Sequence, residues 1–391
     1  MTPFSGMENP ECSNQNQTML KMHKPLFHIA EETKSTQPNL YRKVLSAEVP
    51  SQVVDLIEET VDLDNPWDVA ILQTSSPVNL INLVSCHGYD ESGVGCIINL
   101  KQLNDIRFIN KFLESANEYM REGSLLVGCV ETARQRQERI MAKFPWPLNK
   151  AYYFFDFWVK RVWPKMPYLK QLYFFLTAGR NRVISEMETY GRLYSCGFRL
   201  VKTINAEGKL YFVAEKTGEP DYNHEASYGP LIKLRRVGKN GKLFRVYKFR
   251  TMYPFSEYLQ QYVYETQGLQ DGGKLKEDPR VNSLGRFLRK FWLDELPMIA
   301  NLVKGDLKIF GVRPLSRHYM SLYPQDFQEY RKHFKPGLIP PFYADMPKTL
   351  EEIVASEARY LQACERSPFW TDVRYLFKAA YNILIKRARS K

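Results

Sequence analysis

Short apolar runs alternate with amphipathic segments through the first half of the chain. Residues 68–74 and 124–131 have the length and composition of buried strands. Residues 103–123, which lie between them, place apolar side chains at helical spacing. Strands that alternate with helical segments are typical of α/β folds. We therefore predict an N-terminal partial Rossmann-like α/β domain.

Two further features divide the chain. Residues 1–40 are polar and show no periodicity, which predicts a disordered arm. A second polar stretch begins near Gly218 and also lacks hydrophobic periodicity. We therefore predict an α/β domain over 41–220 and a second domain over 228–391.

Charge is distributed unevenly between these parts. From Gly229 to Lys391 the sequence holds 30 Lys and Arg against 16 Asp and Glu, whereas the preceding residues hold 25 against 27. A basic half of this size indicates an anionic partner: nucleic acid, an anionic membrane surface or phosphorylated small molecules. Mean hydropathy is −0.41, and no apolar run reaches the roughly 18 residues of a spanning helix. Six cysteines without a CxxC pair favour a reducing, cytoplasmic setting.

The basic half begins with a hairpin signal. Asn240-Gly241 separates two strand-like runs, and this pair favours a tight turn because both residues accept positive φ. The second run would carry Lys248 and Arg250 on one face. Such residues commonly form the solvated side of a sheet, so this pattern alone leaves their role open.

A carboxylate pair follows between two predicted helices. Residues 283–291 have the pattern of a basic helix, and residues 297–305 that of a second, buried helix with proline in its first turn. Asp294 and Glu295 lie directly before the second helix. The pair could cap the helix, or its oxygens could hold a divalent cation.

Seven short motifs occur in order over about 90 residues: FRTM, DPR, GRFLRK, LDELP, KGD, VRP and KPG. The ordered set resembles the bacterial sugar transferase family, the monotopic polyprenyl-phosphate phosphoglycosyl transferases. The resemblance implies a mostly helical domain with a small β-hairpin. It also implies transfer of a sugar 1-phosphate from a UDP-sugar to undecaprenyl phosphate, with release of UMP, in the biosynthesis of exopolysaccharide, capsule or other glycoconjugates.

The resemblance also assigns roles. Asp294 matches the nucleophile that attacks the β-phosphate, and Glu295 its partner in holding Mg²⁺ and positioning substrate. It further implies a set of cations that bind substrate phosphates: Arg289, Arg313, Lys248, Arg250 and Arg280. Asp306 of KGD is interpreted as organising its loop.

Three departures from the family pattern stand out. Val312-Arg313-Pro314 replaces Pro-Arg-Pro, and Lys335-Pro336-Gly337 is followed by Leu-Ile-Pro. The family's hydrophobic re-entrant helix would precede Gly229, where this sequence is polar. Two amphipathic candidates for peripheral attachment to the inner face of the cytoplasmic membrane are the aromatic stretch 152–163 and the helix-like segment 369–391.

Other interpretations stay open. The α/β region loosely resembles the second half of a class I methyltransferase but has no GxGxG-type cofactor loop. A non-catalytic membrane- or partner-binding protein built on a degenerate transferase domain is the main alternative function, and other polysaccharide-assembly enzymes are possible partners. Nucleic-acid binding ranks last, because the basic residues lie within the transferase motifs.

Overall fold

A computed structural model describes most of the chain. The described ranges are 39–61, 68–80, 93–166, 168–222, 228–267 and 278–385. The described residues divide into two compact units, one up to Val69 and the other from Ala70 onward. In the first unit, α1 (Asn39–Glu48) and α2 (Ser51–Thr60) form a helical pair. Helix α2 buries one apolar face, and Arg42 of α1 pairs with Glu58 of α2 at 3.1 Å.

A five-stranded sheet organises the α/β part. Its strands, in chain order, are β1 (Val69–Leu72), β2 (Val94–Gln102), β3 (Met120–Val130), β4 (Phe198–Ala206) and β5 (Lys209–Lys216). Their spatial order is β1-β2-β3-β5-β4. Strands β2 and β3 are parallel, whereas β5 is antiparallel to both β3 and β4. The predicted mixed α/β architecture is confirmed, and β4 and β5 form an antiparallel hairpin.

Helix α3 (Ile109–Glu118) connects the two parallel strands and packs its apolar face into the core. It is shorter than the sequence pattern predicts at both ends, because Leu103–Asp105 form a separate 3₁₀ turn and β3 already begins at Met120. A side chain distant in the sequence sets the C-terminal end of the helix. The buried Lys216 ammonium donates hydrogen bonds of 2.9 Å to the carbonyl oxygens of both Asn117 and Met120, which terminates the helix.

Four helices lie between β3 and β4 in the sequence. They are α4 (Ala133–Lys143), α5 (Leu148–Phe157), α6 (Leu169–Thr177) and α7 (Glu186–Ser195). Thr132 and Gln135 begin α4 with a reciprocal capping box. Helix α5 continues into a π-turn at Trp158–Val162 and a 3₁₀ turn at Trp163–Lys165.

The C-terminal part is mostly helical, with one small antiparallel hairpin of β6 (Leu231–Val237) and β7 (Leu243–Phe249). Asn240 (φ 55°) and Gly241 (φ 73°) occupy its turn, as the Asn-Gly signal predicts. The remaining elements are α8 (Gln260–Gln267), α9 (Ser283–Lys290), α10 (Ile299–Val303), β8 (Lys308–Phe310), α11 (Arg317–Met320), α12 (Gln325–Lys332), β9 (Gly337–Ile339), α13 (Phe342–Asp345), α14 (Leu350–Arg366) and α15 (Pro368–Leu384).

One prediction about burial is wrong. The second of the two helices around the carboxylate pair, α10, is not buried: Val303 is 84% exposed and Ile299 50%. Its inward side combines the fully buried amide of Asn301 with the partly buried Leu302, which packs against Met298 and Leu307. Among the described helices, none combines the length and the apolarity needed to cross a bilayer.

Strands β8 and β9 are parallel and bring two sequence motifs together. Gly311, before Val-Arg-Pro, meets Gly337 of Lys-Pro-Gly so closely that a Cβ on Gly337 would lie 2.1 Å from the Gly311 nitrogen. Both glycines are therefore required by the close approach of the two backbones.

Candidate active site

A short 3₁₀ helix, Leu293–Met298, carries both predicted catalytic carboxylates. Asp294 and Glu295 lie in its first turn, directly after Trp292, whose left-handed conformation (φ 54°) redirects the chain out of α9. The Trp292 ring packs edge-on against Tyr343 at 5.5 Å between centroids. Aromatic packing therefore fixes the start of the turn that presents the carboxylates.

The buried Asn301 side chain fastens this turn to the hairpin. Its amide nitrogen donates to the Arg245 carbonyl oxygen at 2.8 Å, and its oxygen accepts from the Tyr247 backbone nitrogen at 3.1 Å. The same nitrogen lies 3.2 Å from Asp306 Oδ2. Asp306 thus contacts α10, and its role in organising the KGD loop stays a prediction.

Lys248 on β7 reaches the carboxylate pair. Its ammonium nitrogen lies 2.6 Å from Glu295 Oε1, and both side chains are partly buried. Partial burial raises the pKa of Asp294, and the negative charge of Glu295 acts in the same direction. Lys248 and, more weakly, Arg289 oppose this shift. Asp294 is therefore a partly desolvated carboxyl whose charge state depends on neighbouring cations.

Helix α9 sets the position of Arg289. Asn282 caps the helix by accepting a 2.6 Å hydrogen bond from the Gly285 nitrogen. A Cβ on Gly285 would lie only 2.0 Å from the Thr251 carbonyl oxygen, so the helix can approach this segment only at a glycine. The exposed Arg289 side chain donates from Nε to Thr251 Oγ1 at 3.0 Å.

The remaining predicted cations separate into different environments. Arg280 is 7% exposed and binds both oxygens of Asp278 at 2.8 and 2.7 Å, which holds the pKa of that carboxyl below its usual range against the opposing effect of its burial. Arg250 donates from Nε to the Gly229 carbonyl oxygen at 2.9 Å, and burial lowers its pKa. Neither lines the cavity beside the carboxylate pair.

That cavity has a volume of about 350 Å³. Lys248, Glu295 and Arg313 line it together, so the structure brings three of the predicted site residues to one space. Its wall also holds Tyr319 and Tyr343. The volume is within the range of small-molecule sites.

Arg236 on β6 is a cavity residue that the sequence analysis missed. Burial lowers the pKa of its guanidinium, and the nearby charge of Arg313 adds to the effect. The strand pairing of the hairpin indicates its position, because Leu234 pairs with Val246 and Ile232 pairs with Lys248. Because side chains alternate along a strand, Arg236 shares a face with Lys248.

A buried ion pair holds the part of the cavity wall that contains Arg313. Arg331 on α12 lies 2.7 Å from Glu357 on α14, and both side chains are at most 5% exposed. Arg331 also donates to the Arg313 carbonyl oxygen. The pair therefore holds the backbone of Val-Arg-Pro in place, and Glu357 is itself part of the cavity wall.

The carboxylate pair provides few metal ligands by itself. Across the described ranges no cluster of three or more His, Cys, Asp or Glu side chains is placed to hold a metal ion. Asp294 and Glu295 supply two carboxylates, one of them paired with Lys248. Mg²⁺ is commonly bound by one or two carboxylates together with substrate phosphates, and this donor set fits that arrangement.

Comparison with known proteins agrees with the motif order. Residues 223–386 match the family model described as Bacterial sugar transferase. This C-terminal region belongs to that family.

Three curated relatives illustrate the match. Galactosyl transferase CpsE of Streptococcus agalactiae is 32% identical over 164 residues, which is 40% of this chain and 35% of the relative. Undecaprenyl-phosphate galactose phosphotransferase of Salmonella typhimurium is 33% identical over 164 residues, covering 40% and 34%. The uncharacterized sugar transferase EpsL of Bacillus subtilis is 38% identical over 108 residues, covering 28% and 47%. The chain spans about a third of the length of the first two.

Solved structures offer little for the α/β part. An O-methyltransferase family 2 protein from Planctomyces limnophilus aligns over 38% of this chain and 42% of its own, with a TM-score of 0.20 and 14% identity. A similarity of this size is too low to support an argument about fold or function.

Proposed function

We propose that the protein transfers a sugar 1-phosphate from a UDP-sugar to undecaprenyl phosphate and releases UMP. The observation that carries this proposal is a cavity lined by Glu295 and by three cations, Arg236, Lys248 and Arg313. Asp294 precedes Glu295 in the same 3₁₀ helix, although it does not itself line the cavity. A nucleotide diphosphate sugar is polyanionic, and cationic side chains in a partly enclosed cavity stabilise such charge. The relatives' names refer to the same class of reaction.

The chemistry proceeds in two balanced steps. In the first, a carboxylate oxygen of Asp294 attacks the β-phosphorus, a bond from Asp294 to phosphorus forms, and the bond to the bridging oxygen breaks. UMP leaves with the electron pair of that bond. In the second, an oxygen of undecaprenyl phosphate attacks the same phosphorus, the acyl phosphate bond breaks, and the Asp294 carboxylate is regenerated.

The neighbouring residues have distinct tasks in this scheme. Lys248 opposes the effect of burial on the pKa of Asp294 and so favours the carboxylate form. Arg236, Arg313 and Arg289 bind the phosphate oxygens. Asp294 and Glu295, together with the diphosphate oxygens, would hold Mg²⁺, which supplies charge neutralisation when bound.

The lipid substrate implies association with a membrane. We propose that the protein acts as a peripheral protein on the inner face of the cytoplasmic membrane, where both a UDP-sugar and a polyprenyl phosphate are accessible. The basic excess of residues 229–391 supports attachment to anionic lipid.

The test is UMP release from a panel of UDP-sugars with Mg²⁺ and undecaprenyl phosphate. The Asp294→Asn variant, which keeps the side-chain shape but lacks the nucleophilic carboxylate, is expected to abolish release. Asp326→Asn is the matched control, because Asp326 is an exposed aspartate in the first turn of α12. Without lipid acceptor, wild-type protein should retain the sugar phosphate covalently, whereas Asp294→Asn should not. Release that persists in Asp294→Asn, or is absent with every sugar, refutes the proposal.

A further inference from the structure

The segment from α5 to α6 exposes an unusual number of large apolar side chains. We call the apolar face the set of six side chains between residues 146 and 176 that are each at least 64% exposed: Trp146, Phe154, Phe155, Tyr168, Phe175 and Leu176. A concentration of large exposed apolar side chains in one segment indicates a binding site for a partner or a membrane. The face belongs to the α/β part and lies outside the region that matches the transferase family.

The exposed charges within this segment have a single sign. Between residues 142 and 180 Asp156 is the only acidic residue, and seven residues are Lys or Arg. Asp156 is 4% exposed and is neutralised by Arg136 at 2.6 Å and Lys160 at 2.8 Å. The exposed charges of the segment are therefore all positive, from Lys143, Lys150, Lys170 and Arg180.

Exposed aromatic rings together with exposed cations favour a lipid bilayer over a second copy of the chain as the binding partner. Trp and Tyr rings with neighbouring Lys and Arg are favoured at the interface of an anionic bilayer, where the rings enter the headgroup layer and the cations meet lipid phosphates. A second copy of this chain fits poorly, because a two-fold interface would place the same positive surface against itself. Charge complementarity thus favours a lipid surface.

The segment is firmly joined to the transferase region. Arg161 pairs with the buried Glu188 at 2.6 Å, and its guanidinium also lies 5.9 Å from the ring centre of Tyr253. Lys165 pairs with the same Glu188 at 3.3 Å. A Cβ placed on Gly229 would lie 3.5 Å from the Lys165 carbonyl oxygen, so the turn after α5 touches the start of the transferase region.

We propose that the apolar face inserts into an anionic lipid bilayer and holds the transferase region at the membrane surface. This inference rests on the proposed function for its purpose, since the acceptor substrate is a membrane lipid, but its physical basis is the surface itself. The exposed rings supply the apolar contact, and the four exposed cations supply the attraction to lipid phosphates.

The test is cosedimentation of the full chain with two kinds of vesicle, phosphatidylcholine alone and phosphatidylcholine mixed with phosphatidylglycerol. The variant Phe154→Ser/Phe155→Ser/Phe175→Ser should bind mixed vesicles at least about tenfold more weakly, because three large apolar side chains no longer leave water. Lys150→Glu/Lys170→Glu should weaken binding to mixed vesicles and leave binding to phosphatidylcholine almost unchanged.

The matched control replaces three exposed apolar side chains elsewhere. Val201→Ser/Tyr264→Ser/Leu322→Ser changes residues that are 48%, 52% and 50% exposed. It should bind vesicles like the wild type. Equal binding by the phenylalanine variant and the wild type, or equal losses in variant and control, overturns the proposal.

A second measurement does not depend on variants. The fluorescence of Trp146, which is 73% exposed, should be quenched by lipids brominated near the headgroup and not by phosphatidylcholine lacking bromine. A Trp146→Phe protein identifies the share of the signal due to this residue. If brominated lipid does not quench the Trp146 fluorescence of vesicle-bound protein, the face does not insert.

The two proposals can fail separately. UMP release measured with acceptor lipid in detergent micelles reports the chemistry without a bilayer, and the phenylalanine variant should keep it while losing release with acceptor in vesicles. If UMP is never released but the variant loses vesicle binding, the transferase function fails and the membrane surface stands. If UMP is released and vesicle binding is unchanged in the variant, only the surface fails.

Discussion

Removing Arg331 should destabilise the C-terminal part far more than removing its neighbour Lys332. Arg331 and Glu357 form a buried ion pair at 2.7 Å with at most 5% exposure on either side. Lys332, the next residue of α12, pairs with Glu329, which is 67% exposed. The two pairs share a helix and a charge type but differ in burial, so they isolate the effect of desolvation.

The expected magnitude follows from what each variant leaves behind. Arg331→Met leaves the Glu357 carboxylate buried and uncompensated, and the loss of one partner of such a pair costs about 3–5 kcal/mol. The Arg313 carbonyl oxygen also loses its donor. Lys332→Met removes an exposed pair, which typically contributes about 0–1 kcal/mol.

The assay is urea denaturation of the full chain followed by tryptophan fluorescence. The double variant Arg331→Met/Glu357→Gln completes the design, because it removes the uncompensated charge. It should recover part of the free energy of unfolding lost in the single variant. UMP release should fall with Arg331→Met, since the backbone of Val-Arg-Pro loses its support beside the cavity.

A loss below about 1 kcal/mol for Arg331→Met, or equal losses for Arg331→Met and Lys332→Met, would refute the reasoning. A double variant less stable than Arg331→Met would also contradict it, because neutralising Glu357 should then have relieved the unpaired charge. A small loss for Arg331→Met would mean that water or another cation reaches the Glu357 carboxylate when Arg331 is absent.

Three further perturbations test the site. Lys248→Met should raise the pKa of Asp294 further and move the acid limb of the pH profile of UMP release to higher pH, because Asp294 acts as a carboxylate; an unmoved limb contradicts this role. Gly285→Ala should unfold at markedly lower urea, since its Cβ would lie 2.0 Å from a backbone carbonyl oxygen, whereas Gly218→Ala, with open space around it, should be nearly neutral. Asn301→Ala should cost about 2–4 kcal/mol in denaturation, because buried backbone groups of the hairpin lose their partner, and a loss near zero would show that water replaces it.

Elements defined by local chemistry could be predicted from sequence. The β6–β7 hairpin depends on Asn240 and Gly241, whose positive φ values the residue types themselves favour. The start of α9 depends on Asn282, which accepts a hydrogen bond only three residues away. The carboxylate pair was recognised from the order of short motifs, and it lies in a 3₁₀ helix directly before α10.

Features defined by distant partners could not be predicted. The end of α3 is set by Lys216, which lies 96 residues beyond the carbonyl of Met120. The burial of α10 was predicted wrongly because only one side of the helix, with Asn301 and Leu302, packs inward, whereas the apolar Ile299 and Val303 are exposed. Periodicity reports which side chains share a face, but it does not say which face turns inward.

The predicted phosphate-binding cations show how partners decide the role of a residue type. Arg280 follows Asp278 by two residues, and this aspartate neutralises it within the buried Asp-Pro-Arg turn. Arg313 is instead exposed at the cavity that also contains Lys248. A guanidinium already bound by a carboxylate must exchange that partner before it can bind a phosphate, whereas an exposed guanidinium gives up only water. We therefore expect the cations that line the cavity to bind phosphate, and the arginine of the Asp-Pro-Arg motif to stabilise its own turn.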